Sequence, residues 1–294
     1  MNWDDLRFFL ALARTGKLIG AGAVLNVDHT TVRRRIMTLE ETLGETLFAR
    51  SPKGYALTDA GERLVSHAED VESRMLIAQS DFEKGGAHLT GVVRIGAPEG
   101  LGAYVVADAA SDLCDAHPQL EVQLTAAPRV MRLADREVDI AFSVSRPTSG
   151  RLKARKVADY KLHLYASEGF LRRHPPITRM DDLTELRGIG YIQQQLYDEE
   201  LNFQLQTSSD LKPHLTSTSI NVQIRVAVAG RGVCILPDFM AAQHPELQRI
   251  LPDDIDFVRS TWMVTHEDMG RLEKVRQCAD FLAERVRRGV TVAK

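Results

Sequence analysis

Cysteine is scarce in this 294-residue chain, and Cys114, Cys234 and Cys278 form no CxxC pair and no Cys/His ligand spacing. A disulfide framework and a zinc site are therefore excluded as organising features, and a reducing, cytoplasmic setting is expected. Cys234 lies in the apolar run Val233 to Leu236 and Cys114 on a helix face, so buried inert thiols are expected rather than a redox switch. Long apolar runs are absent too: none reaches the roughly 18 residues of a membrane span. The opening MNWDDLRFF lacks a basic start followed by an apolar core, so neither export nor membrane attachment is expected. Enzyme signatures are also missing. There is no GxSxG elbow, GxxxxGK[ST] phosphate loop or HExxH, and the glycines from Gly96 to Gly102 do not fit GxGxxG. No enzymatic activity and no cofactor or metal are expected.

What the chain does hold is enough apolar material, 44%, for real cores, over a length that favours more than one folding unit. Its net charge of −3 is unevenly placed. Residues 1 to 58 carry eight Lys and Arg against six Asp and Glu, a surplus of two, which leaves the rest at about −5. That asymmetry permits an anionic partner at the amino-terminal end.

The stretch from Asp28 to Leu43, DHTTVRRRIMTLEETL, places Val32, Ile36, Leu39 and Leu43 on one helical stripe. Thr30, Arg34, Met37 and Thr38 face the other way. Asp28 is positioned to cap the first turn. Before this helix, Leu6, Phe9, Leu10 and Ala13 predict a helix ended by Thr15-Gly16. A short second helix around Ala21 to Leu25 follows, although Gly20 and Gly22 each cost about 1 kcal/mol against alanine. After Leu43-Gly44, extended pieces at Thr46 to Ala49 and Tyr55 to Leu57 flank the turn Ser51-Pro52-Lys53-Gly54. The order is that of a helix-turn-helix followed by a basic wing.

The runs WDDLRFFLALARTGKL and VDHTTVRRRIMTLEETLGETLFARSPKGYALTDAGE resemble the winged helix-turn-helix of LysR-type transcriptional regulators. The LEETLG-x-x-LF-x-R and LT-x-AG elements carry that resemblance, which extends through the rest of the chain. The family's usual recognition-helix opening resembles V-S-Q-P-A-L-S-R-Q-I. Here Asp28 stands in place of a serine, His29 of glutamine, Thr30 of proline or serine and Arg33 of serine, while Arg34 matches the usual basic residue. The expected partner is double-stranded DNA. Arg34, pointing most directly from the core stripe, is expected to read bases, since arginine can donate twice to guanine O6 and N7. Arg33 and Arg35 are expected on phosphate. His29, Thr30, Thr31, Thr38, Arg50 and Lys53 complete the candidate interface, with local hydrogen bonding as the alternative for His29.

From Thr58 onward, Leu64, Ala68, Val71, Met75, Ala78 and Phe82 form a heptad seam over 59–90, ended by Gly85-Gly86. Either a second copy or the chain's own domain buries it. The resemblance implies the former, a homodimer or homotetramer paired through a linker helix that carries two DNA-binding heads.

Beyond residue 91, strands are expected at Val92 to Ile95, Glu121 to Thr125, Asp139 to Val144 and Val233 to Leu236. Helices are expected at 101–116, 129–137, 220–229 and 271–288, giving an α/β domain with mainly parallel sheets. DIAFSVSRPTSGRLKARKVADYKLHLYAS and AGRGVCILPDFMA resemble the family's effector-binding domain. That resemblance implies a fold like a periplasmic binding protein: lobe one at 92–162 and 266–294, lobe two at 163–265, and a small-molecule effector between them. The expected fold class is thus an all-α winged helix-turn-helix over 1–58 with a long linker helix, joined to a two-lobed α/β domain over 91–294. Cleft candidates are Pro98, Glu99, Gly100, Pro128, Arg129, Ser145, Gln193, Thr218 and Ser219, each with a turn or capping role as the alternative. RNA polymerase is a further expected partner.

Overall fold

In the computed structural model, the described residues are 3–52, 54–82, 89–127, 137–148, 150–202, 211 and 213–291. The chain forms two compact units, Met1–Lys84 and Gly85–Lys294.

The first unit opens with α1 (Trp3–Thr15), whose first turn carries Asp4 and Asp5, where negative charge suits the exposed amides. Next comes α2 (Leu18–Leu25), stopped at Asn26 in the left-handed region. The expected cost of its glycines has a packing reason: a Cβ on Gly22 would sit 2.7 Å from the Val27 carbonyl oxygen. The third helix, α3 (His29–Leu43), buries Val32, Ile36 and Leu39 against Phe9, Leu10 and Leu12 of α1. Leu43 was expected on the same stripe, yet it is 38% exposed, because the core ends at Leu39 and the helix stops at Gly44.

The wing is an antiparallel hairpin of β1 (Phe48–Ser51) and β2 (Gly54–Leu57). Its first strand begins two residues later than the sequence pattern suggested. Glu40 Oε1 accepts the amides of Leu47 and Phe48 at 2.8 and 3.2 Å, which fastens the entry to β1 to α3. The unit closes with α4 (Asp59–Phe82). Thr58 holds its start: the Thr58 hydroxyl donates to the Thr46 carbonyl at 2.6 Å and accepts the Gly61 amide at 3.1 Å.

The second unit runs through β3 (Thr90–Pro98), α5 (Glu99–Leu101), a π turn at Gly102–Val106, α6 (Ala107–Ala116), β4 (Gln119–Ala127) and β5 (Ile140–Ser143). It continues with β6 (Leu152–Ser167), α7 (Glu168–Leu171), β7 (Gly188–Gly190), β8 (Pro213–Thr216), α8 (Ile220–Val228) and β9 (Val233–Pro237). The last elements are α9 (Asp238–Ala241), β10 (Leu247–Ile250), β11 (Asp256–His266) and α10 (Glu273–Thr291). The strands lie in the order β4-β3-β5-β11-β6-β9-β7-β8, with β10 paired to β6. The spacing of Leu272, Val275, Ala279, Leu282 and Val286 suggests one packed face for the last helix; the last four are buried on α10, while Leu272 lies just before its first residue.

The expectation of a mainly parallel sheet is corrected. Parallel pairing holds at both ends, β4-β3-β5 and β9-β7-β8, but the centre is antiparallel because β6 crosses between the halves and β11 returns beside it. Neither long strand was anticipated. The β11–β6 register slips between Thr261 and Trp262, and residues 262–265 also pair with β5, where Trp262 and Val264 pack with Val138 and Ala141. Leu164, Phe170, Leu183, Val233 and Ile255 make the core of the other half. The helix expected at 129–137 lies almost wholly outside the described residues.

Candidate functional site

On the first unit, anchoring and exposure divide the basic residues of α3. Asp28 Oδ1 accepts from the Thr30 hydroxyl at 2.5 Å and from the Thr30 amide at 2.8 Å. Those bonds, the side-chain one foremost, hold its carboxyl below the usual carboxylate range. Thr30 is thereby committed to the cap, and His29 leans on it, its Nδ1 3.6 Å from Asp28 Oδ1.

Arg33 and Arg34 are exposed and pair with no acidic side chain among the described residues; Thr38 shares their exposed side, while Thr31 is half-buried. Arg35 departs from the phosphate role expected of it. Its guanidinium donates to Asp4 at 2.7 Å and to Asp5 at 3.0 Å and lies 5.4 Å from the Phe8 ring centroid, clamping α3 to α1. On the wing, Arg50 is exposed, 6.0 Å from the Tyr55 ring centroid. Lys53 lies outside the described residues.

The seam on α4 splits in two. Ala68 is fully buried and Leu64 partly so, both packed into the head's own core, and the Arg14–Glu72 ion pair at 2.7 Å fastens that half of the helix to α1. These two residues therefore pack within the chain. Val71 and Met75, 38% and 41% exposed, and Ala78, also exposed, form the open half. The Phe82 side chain lies outside the description.

In the second unit, the ends of β3 and β9 and the start of α8 surround a cleft with about 530 Å³ of empty space, part of it open to solvent. Of the residues named from sequence, Pro98, Glu99, Gly100 and Thr218 line this hollow. Ser219 caps α8 by accepting the Val222 amide at 3.2 Å, and its hydroxyl donates to Glu99 Oε1 at 2.8 Å. Glu99 Oε2 accepts the Ile220 amide at 3.1 Å. Ser145 is not a lining residue; its hydroxyl donates to Asp198. Gln193 lines a second hollow, which shares Tyr191 and Leu201 with the first. Pro128 and Arg129 lie outside the described residues.

Sequence reading missed the larger part of the wall: Tyr160 and Leu162 on β6, Tyr191, Tyr197, Thr261, and Phe239 and Met240 on α9. The placement of ligands beyond strand carboxyl ends would have pointed to residues 237–240, which directly follow the recognised strand at 233–236. Burial raises the Tyr160, Tyr191 and Tyr197 hydroxyls above their usual range, so all three stay neutral at pH 7. Burial likewise raises the Cys234 thiol, and lifts Cys278 to about 11, leaving both protonated and poorly nucleophilic.

No helix among the described residues is long and apolar enough to cross a membrane. Residues 3–62 match the family model described as bacterial regulatory helix-turn-helix protein, lysR family, and residues 86–287 match the LysR substrate binding domain. The chain is 26% identical over 285 residues to the HTH-type transcriptional activator TtdR of Escherichia coli strain 536, covering 95% of this chain and 92% of that protein. Among solved structures, a full-length single-residue variant of OxyR from Pseudomonas aeruginosa aligns with a TM-score of 0.73 at 19% identity over 100% of both chains. CrgA of Neisseria meningitidis aligns at 0.60 and 22% identity, over 97% of this chain and 99% of that one. With both family models matched in this order over most of its length, the chain belongs to the LysR family of DNA-binding transcriptional regulators with an effector-binding domain.

Proposed function

We propose that α3 enters the major groove of an operator with Arg34 on base edges and Arg33 on phosphate, while Arg50 and Lys53 of the wing touch the flanking backbone. One observation carries this reading: α3 is pinned by Asp28, Glu40 and Arg35, yet keeps Arg33 and Arg34 exposed and without acidic partners among the described residues. A helix so fixed holds its cations where a phosphate backbone can meet them. Two copies pair through the open half of α4 around Val71 and Met75, so the bound site is roughly palindromic. The cleft lined by Pro98, Glu99, Gly100 and Thr218 takes a small effector. Its unequal affinity for two arrangements of the dimer changes the DNA contacts and, through them, access of RNA polymerase. The protein works in the cytoplasm and catalyses nothing.

Gel shifts with fragments of the source genome test this. Binding confined to a few fragments and weakening steeply with salt is expected. Uniform binding to all fragments, or none with or without cell-extracted small molecules, contradicts it.

A further inference from the structure

The start of a helix offers unpaired amides and a positive dipole end, which makes it a natural seat for a ligand carboxylate. Beside this cleft that seat is taken. Glu99, held at the end of β3, reaches across to α8 and places one oxygen on the Ser219 hydroxyl and the other on the Ile220 amide. An incoming carboxylate finds those donors used and meets a like charge in a half-buried place.

The remainder of the wall suits the opposite charge. Aromatic residues make up 6% of the chain, yet Tyr160, Tyr191, Tyr197 and Phe239 all line this one cleft. Aromatic faces are electron-rich and attract cations, most strongly where water is excluded. No Lys, Arg or His stands among the described lining residues. Burial is the main reason the Tyr197 hydroxyl resists ionisation, and the nearby carboxylates Asp198 and Glu99 add to it; across the wall, at Tyr160, Arg259 acts in the opposite direction. Each Glu99 oxygen has made one hydrogen bond and keeps a lone pair for a further N–H donor.

We propose that this cleft selects a small effector carrying a protonated amine on an apolar body, with Glu99 as the counter-charge, and that it rejects carboxylates. The proposal rests on the reading of this cleft as the effector site.

Three probes of one shape and different charge test it by calorimetric titration of the full chain: benzylamine, benzyl alcohol and benzoate. Benzylamine is expected to bind about tenfold more tightly than benzyl alcohol, with no heat from benzoate. In Glu99→Gln, which keeps the shape and the contact with Ile220, the amine's advantage is expected to vanish while benzyl alcohol is unaffected. Benzoate binding as tightly as benzylamine, an amine preference that survives in the variant, or no binding of any probe overturns the proposal. Retention of genomic fragments by the same samples is read separately: its loss counts against the regulator reading, while the ranking of the probes counts only for or against the ligand class.

Discussion

Glu40 shows how one carboxylate turns a motif into a shape. In the run LEETLG-x-x-LF it accepts the amides of Leu47, the last residue before the wing, and Phe48, the first residue of β1, so the identity of position 40 sets where the hairpin leaves α3. Asp28 does the corresponding work at the other end of that helix. The hydroxyl and amide of Thr30 lower its pKa in the folded chain below the ordinary 3.8, so the cap stabilises the fold above that pH. The contribution fades as pH falls below 3.8 through the lowered folded value. Asp28→Ala should therefore lower the melting temperature at pH 7, with the gap to the parent protein closing in melts at progressively more acid pH. A gap of equal size at both extremes would contradict the cap. Of the three adjacent arginines, sequence distinguished Arg34 by its angle from the core stripe but placed Arg35 on phosphate, because its partners Asp4 and Asp5 lie some thirty positions away.

At the scale of elements, what was legible depended on how local its cause is. The recognition helix α3 follows a 3.6-residue period and is closed by Asp28 and Gly44, signals contained in a few neighbouring residues. The long strands β6 and β11 were missed because each passes from one half of the domain to the other, and the pairing that defines them joins residues about a hundred positions apart. The cleft's aromatic wall was hidden for the same reason: Tyr160, Tyr191, Tyr197 and Phe239 meet only when the sheet is assembled. The join between wing and α4 is a tight one. A Cβ on Gly61 would stand 2.3 Å from the Leu47 carbonyl oxygen, a backbone atom that cannot swing aside. Gly61→Ala should destabilise the head by about 1–3 kcal/mol, measured by denaturant unfolding with the slope unchanged. Parental stability would show that the join has room to give.

The molecule as a whole carries a basic head, an apolar helix half and a cleft in one chain. The exposed Val71 and Met75 are what pairing would bury, whereas Leu64 and Ala68, already packed within the chain, lie outside that contact. Val71→Asp should shift the protein to monomers in analytical ultracentrifugation and weaken binding to genomic sites, since each head would then have to bind alone. An unchanged oligomer would remove α4 from the pairing surface.

Reading of sequence by α3 through Arg34 is tested most directly by comparing Arg34→Ala with the parent protein on a selected genomic site and on random DNA of equal length and salt. The variant is expected to lose about 1–3 kcal/mol on the selected site and far less on random DNA, so that the two affinities converge. Equal loss on both would make Arg34 a phosphate contact and contradict the claim.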